Sequence, residues 1–181
     1  IIESLDRHGT DLIEIGMPYS DPMADGPVIQ KSSAKAIRNG LTLKKLFEQI
    51  RSVSSRVSAP MILMGYLNQM MQYGDERFLE TAVSSGIRGL IIPDLPPELY
   101  EEQYREMFQD RGMEIIFLVP PQTSEQRIRY IDRISDSFLY AVSDSSITGG
   151  TSAISEAQVA YFRRLRDLDL KNPFMVGFGI S

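Results

Sequence analysis

Two carboxylates set the chemistry open to this chain. Glu14 lies inside the apolar run Leu12-Ile-Glu-Ile-Gly16, and Asp25 follows in Met17-Pro-Tyr-Ser-Asp-Pro-Met-Ala-Asp-Gly-Pro27. An ionised group in a strand-like run is costly unless it is paired, hydrogen-bonded or given a chemical role. Hydrogen bonding to neighbours would account for a lone Glu14 about as well as function does. Asp25, in the loop that leaves the same strand end, tips the reading toward function. A buried Glu14 would have a raised pKa and could hold and deliver a proton near neutrality. Asp25, in a wetter loop, is expected to stay ionised and to bind an N–H or accept a proton. Such a difference in solvation separates an acid from a base. Pro18, Pro22 and Pro27 stiffen the loop and Gly26 permits a tight turn. Asp21 reads locally as a turn cap.

Other chemistries are poorly represented. The chain has no cysteine, which excludes disulfides, thiolate metal sites and a Cys nucleophile. With a single histidine, His8 at a helix end, a zinc site is improbable, and no metal ligand set is assigned. The nine methionines read as gap-filling core. A net charge of -5 without a basic run argues against duplex nucleic acid. No apolar run reaches membrane-spanning length and no signal-peptide pattern opens the chain, so a cytoplasmic enzyme is expected.

The elements that must position these residues follow from apolar spacing. Short apolar runs at 12–15, 61–64, 89–92, 115–119, 138–142 and 174–178 read as strands buried on both faces. Amphipathic segments at 43–57, 76–84, 98–111, 124–134 and 155–168 read as helices, with a shorter one at 28–38 after the first strand. Thr42 is a candidate N-cap, while Gly86 and Gly112 mark helix ends. Strand–helix alternation predicts an α/β fold with a parallel sheet, either an eight-fold barrel or a doubly wound sheet. No Gly-x-Gly-x-x-Gly follows a strand, which lowers the odds of a dinucleotide fold. Glu14, Asp94, Ser143 and the turn at 177–181 fall in or just after strands, where barrels carry their chemistry. The run Ser143-Asp-Ser-Ser-Ile-Thr-Gly-Gly150 has the composition of a lid, and equally of any surface loop. Gly177-Phe-Gly-Ile-Ser181 would let backbone N–H groups approach a phosphate. The absence of linkers and charge blocks predicts one domain over 1–181.

Taken together, these residues resemble the tryptophan synthase alpha subunit family. The resemblance rests on Ile13-Glu-Ile-Gly-Met-Pro-Tyr-Ser-Asp-Pro-Met-Ala-Asp-Gly26, a highly specific signature. Supporting it are Tyr66-Leu-Asn68, Pro93-Asp-Leu-Pro-Pro-Glu98, Tyr140, Ile147-Thr-Gly149 and Gly177-Phe-Gly-Ile-Ser181. It implies a (β/α)8 TIM barrel, here incomplete and covering about the family's second to seventh strands. The ends look cut, so the chain is expected to be an excerpt of a longer protein, poorly stable and inactive when made alone.

The resemblance also implies an activity: cleavage of indole-3-glycerol phosphate to indole and glyceraldehyde 3-phosphate, in tryptophan biosynthesis. Glu14 would protonate the indole ring carbon and take the glycerol hydroxyl proton. Asp25 would bind the indole N–H. Tyr66, Met64, Ile91, Tyr140 and Thr148 would contact substrate or close over it, and Gly149, Phe178 and Gly179 would hold phosphate. No cofactor is implied in this chain; pyridoxal phosphate would belong to a beta subunit in an α2β2 heterotetramer. Tyr19, Asp21, Pro22 and Asn68 would face that partner. Asp144 and Ser146 depart from the basic residue and glycine that many members carry. They raise a second reading: a catalytically impaired alpha-like chain that activates a beta subunit.

Overall fold

A computed structural model describes residues 1–21, 25–142 and 155–177. After the opening helix α1 (Ile2–Arg7) and strand β1 (Ile13–Gly16) come α2 (Pro27–Arg38), α3 (Leu43–Ser54) and β2 (Met61–Met64). Helices α4 (Leu67–Tyr73) and α5 (Asp75–Ser84) then lead to β3 (Ile87–Ile91). A helical stretch follows as α6 (Pro97–Leu99), a π-helical segment (Tyr100–Tyr104) and α7 (Arg105–Gln109). Strands β4 (Glu114–Ile116) and β5 (Leu118–Val119), helix α8 (Glu125–Ile134), β6 (Leu139–Val142), α9 (Glu156–Asp167) and β7 (Phe174–Gly177) complete the order.

The helix boundaries have local causes. Thr42 accepts a hydrogen bond from the Lys45 N–H at 3.3 Å, and Ser124 does the same for Arg127. Ser155 and Gln158 form a reciprocal capping box ahead of α9. Pro27 occupies the first position of α2, where its missing N–H costs nothing. Gly86 and Gly112 stop α5 and α7 with φ of +95° and +61°, a region a side chain disfavours. Helix α4 has no counterpart in the sequence reading, because its seven residues are too few to display a period.

Every strand pairing is parallel, in the orders β1-β2-β3-β4 and β5-β6-β7. Glu14 lies opposite Ile62 and Val142 opposite Gly177. The run expected as one strand at 115–119 is divided at Phe117. Its carbonyl nevertheless accepts the Tyr140 N–H at 2.9 Å, so the two sheets are consecutive parts of one curved wall. This is the arc of a (β/α)8 barrel rather than a doubly wound sheet.

The pleat sends alternate residues to opposite sides. Outward residues such as Leu63, Leu90 and Ile115 join Phe47, Phe78 and Phe108 in the large core beneath the helices. Inward, Ile62, Ile91, Ile116 and Phe138 fill the barrel interior, with Leu12, Met64, Leu118 and Tyr140 against them. Burial on both faces holds for β2 and most of β3. It fails for β1 and β7, where Glu14, Gly16, Met175 and Val176 are exposed. Each of these strands has one strand neighbour among the described residues, and each lines the open mouth of the barrel. No helix among the described residues is long and apolar enough to cross a membrane.

Candidate active site

A cavity of about 670 Å³ opens at the C-terminal ends of the strands. Strand β1 and its following loop give it Glu14, Gly16, Met17, Pro18 and Asp25, and β2 with its loop gives Met64, Gly65 and Tyr66. Pro93 follows β3, Tyr140 comes from β6, and Val176 and Gly177 come from β7. The remaining wall is α2, through Ile29, Ser32, Ser33 and Ala36. The spacing of Ile29, Ser33 and Ala36 puts them on one helical face. Parallel strands feeding separate loops thus converge six segments of chain on one mouth, as a barrel does.

Both carboxylates line the cavity, and the expected rise in the Glu14 pKa is accompanied by a rise at Asp25. Glu14 is exposed by area because it projects from an edge strand into the open mouth, while Asp25 is half-buried. The protein crowded around the Glu14 carboxyl still raises its pKa, and the Asp25 charge raises it further. Asp25 is not simply a wet carboxylate. Its partial burial raises its pKa, and a hydrogen bond from the Tyr66 hydroxyl opposes that shift. Tyr140 is pushed up to about 12 by its burial and then by the charge of Glu14, so its hydroxyl stays protonated through neutral pH.

Tyr140 also owes its place to a glycine. A Cβ at Gly177 would lie 2.1 Å from the Tyr140 hydroxyl and 2.2 Å from two ring atoms, so the ring lies against bare backbone. Ile91, expected at the substrate, is fully buried in the interior layer beneath Met64 and Tyr140 and is not part of the cavity wall. Its side chain supports residues that do line the cavity.

Of the residues expected to face a partner, Tyr19 and Asn68 lie beside this mouth. Asn68 donates to the Tyr19 hydroxyl at 2.9 Å, and the Tyr19 ring stacks on Tyr66 with centroids 5.1 Å apart. Asp21 is exposed and accepts a hydrogen bond from Ser20. Asp94, just after β3, accepts the Leu67 N–H at 2.9 Å and so anchors the start of α4. Pro22, Asp144, Ser146, Thr148, Gly149, Phe178 and Gly179 lie outside the described residues. Gly65 and the inner face of α2 were not singled out from sequence, and Pro93 entered only through the supporting match at 93–98. For α2 the signal was present, as Ile29, Ser33 and Ala36 at helical spacing. Gly65 gave none, since its role is a close approach between two loops.

The profile of tryptophan synthase alpha chains matches residues 1–181. The chain belongs to the tryptophan synthase alpha chain family. It is 54% identical over 181 residues to the alpha chain of Christiangramia forsetii, covering all of this chain and 71% of that one. The alpha chain of Flavobacterium psychrophilum is 50% identical over 181 residues and is covered to 72% of its length. Among solved structures, one described as the tryptophan synthase α2β2 complex of Pyrococcus furiosus superposes with a TM-score of 0.89 at 34% identity. That match spans 98% of this chain and 71% of the other. A second Pyrococcus furiosus complex gives 0.87 at 32% identity, over 98% and 70%. The fold is therefore an incomplete (β/α)8 barrel, and the tryptophan synthase alpha function is that of a lyase in tryptophan biosynthesis, cleaving indole-3-glycerol phosphate.

Proposed function

We propose that Glu14 and Asp25 divide the proton chemistry of this cleavage between them. The observation that carries the reading is their convergence on one cavity, with Glu14 raised in pKa by its surroundings and by Asp25. Glu14 in its acid form delivers a proton to the indole ring carbon that bears the glycerol chain. Positive charge then develops at the ring nitrogen, and Asp25 accepts its N–H hydrogen bond and stabilises that charge. Glu14, now ionised, takes the proton of the glycerol hydroxyl next to the bond. The hydroxyl oxygen becomes the aldehyde oxygen, the carbon–carbon bond breaks, and its electrons return to the ring. Indole and glyceraldehyde 3-phosphate leave, and the hydroxyl proton that Glu14 took has already returned it to its acid form. Tyr66, Met64 and Tyr140 shape the indole pocket, with Ile91 behind them. Thr148 belongs to the closing loop, and Gly149, Phe178 and Gly179 hold the phosphate.

Residues 1–181 are part of one barrel domain, which works without a cofactor of its own, in the cytoplasm. Its partner is a beta subunit that carries pyridoxal phosphate, in an α2β2 assembly like the one described for the Pyrococcus furiosus protein. Tyr19, Asp21, Pro22 and Asn68 face that partner. The test is indole release from indole-3-glycerol phosphate by the protein carrying this chain, with and without a beta subunit. Glu14→Gln is expected to reduce release by at least about a hundredfold, the usual worth of a general acid–base group. Release undiminished in Glu14→Gln would overturn the assignment. Stimulation of a beta subunit without any indole release would favour the impaired, activating chain instead.

A further inference from the structure

Gln69 is a buried amide, 7% exposed, in the first turn of α4. Its Oε1 accepts the Tyr66 backbone N–H at 3.0 Å, and its Nε2 donates to the Pro18 carbonyl at 3.0 Å. An N–H only donates and a carbonyl only accepts, so these partners fix the orientation of the amide. They also belong to the two segments that meet at Asp25. Pro18 opens the loop that carries Asp25, and the Tyr66 hydroxyl hydrogen-bonds the Asp25 carboxylate. We infer that Gln69 is a positioning residue for the lyase reaction, holding the Tyr66 hydroxyl against the Asp25 carboxylate by tying both segments to one side chain. This rests on the role proposed for Asp25.

The surroundings leave the clamp little play. A Cβ at Gly65 would lie 2.7 Å from Gln69 Oε1 and 2.2 Å from Met17 Cε, so the segments approach this closely only over glycine. The Met17 N–H donates to the Met64 carbonyl at 2.7 Å, carrying the β1–β2 ladder into the loops. Tyr66 is thus held by Gln69 at its backbone, by Tyr19 at its ring and by Asp25 at its hydroxyl. No other single side chain of this length both donates and accepts in one plane. Methionine would fill the space with neither bond. Glutamate would keep the acceptor and set an oxygen against the Pro18 carbonyl.

A pH profile reads this out. Among the described residues that line the cavity with Asp25, the titratable groups are Glu14 from β1, Tyr66 after β2 and Tyr140 from β6; Tyr19 and Asp21 share its loop, and Lys31 and Lys35 lie on α2. Helix α2 presents Ile29, Ser32, Ser33 and Ala36. Loosening the Tyr66 hydroxyl removes a bond that favours ionised Asp25, so the acid limb of activity should move to higher pH. The experiment compares kcat and kcat/KM against pH, with thermal melts, for the wild type, Gln69→Met, Gln69→Glu, Tyr66→Phe and the Gln69→Met/Tyr66→Phe double variant. Gln69→Met is expected to lose about tenfold in kcat/KM, mostly in kcat, from misplaced geometry. Its acid limb should shift in the direction seen for Tyr66→Phe, with no further shift in the double variant. Gln69→Glu, which keeps one bond, should also be impaired. A lowered melt with wild-type kinetics and pH profile in both Gln69 variants would make Gln69 merely structural and overturn the inference. Additive shifts in the double variant would overturn it too, since Gln69 would then not act through Tyr66. Asp25→Asn, assayed in parallel, separates the two claims. If it keeps full activity, the role of Asp25 falls and this inference with it. If it is inactive while both Gln69 variants behave as wild type, only the inference falls.

Discussion

Glu14 illustrates how a single side chain is set against the stability of its own fold. Its pKa is raised above the ordinary 4.5, by burial first and by Asp25 second. In the unfolded chain that shift disappears. From about pH 4.5 up to its folded value, the native state therefore holds a proton that the unfolded state has released. Stability contributed by the protonated form is complete at lower pH and is lost as pH rises through that window. Asp25 acts in the same sense. Glu14→Gln removes the ionisation, so the variant should melt higher than the wild type at about pH 8, with the difference closing toward about pH 5. Melts at the two pH values check this, and a variant that melts lower at the higher pH would show that Glu14 is stabilised as a carboxylate. At this scale the sequence was informative where chemistry is written in side-chain type. Glu14, Asp25, Met64, Tyr66 and Tyr140 all line the cavity. It placed Asp25 in a wetter setting than the half-buried one it has, because a Pro- and Gly-rich loop signals a turn but not what packs around it.

Placement of these side chains depends on strands and loops meeting at contact distance, and glycines mark where. Gly177 at the end of β7 lies under the Tyr140 ring, with no room for a methyl group. Gly177→Ala must displace the ring. The expected result is a loss of stability of about 1–3 kcal/mol, the range for overpacking, together with reduced indole release. Denaturant melts and the release assay check both, and unchanged activity would mean that the Tyr140 position is immaterial to the reaction. Elements with a long amphipathic period, such as α3 and α8, were legible in the sequence because tertiary packing and local pattern agree there. The division at Phe117 was not. Its carbonyl serves β6 while its ring packs edge-on to Tyr100 in the outer core, a choice made by partners distant in sequence. The π segment within the helix expected at 98–111 was hidden for the same reason. Tyr100 and Tyr104 are both buried there, and a helix-period reading cannot distinguish one extra residue in a turn.

At the scale of the whole arc, burial among the described residues is graded across the curved wall. Strands β2 and β3 lie between two neighbours each and carry Leu63, Leu90 and Ile91 with no exposed surface. Helix α5 covers them with Phe78, Leu79 and Ala82, also fully buried. At the sides of the arc, β1 exposes Glu14 and Gly16, while Met175 and Val176 of β7 are 45% and 38% exposed. The residues proposed to do the chemistry thus sit partly on the less covered strands, and the scaffold sits in the middle. Local opening should follow that gradient, because a strand with one neighbour and little buried apolar area separates at lower cost than one held on both sides. Amide hydrogen exchange under native conditions should therefore find β2 and β3 slower than β1 and β7 by at least about tenfold. Binding of an indole-sized ligand in the cavity should protect β1 and β7 preferentially, since both contribute to its wall. Equal protection across all strands without ligand would mean that the arc opens only as a unit, and the link between exposed edges and an adaptable active site would have to be abandoned.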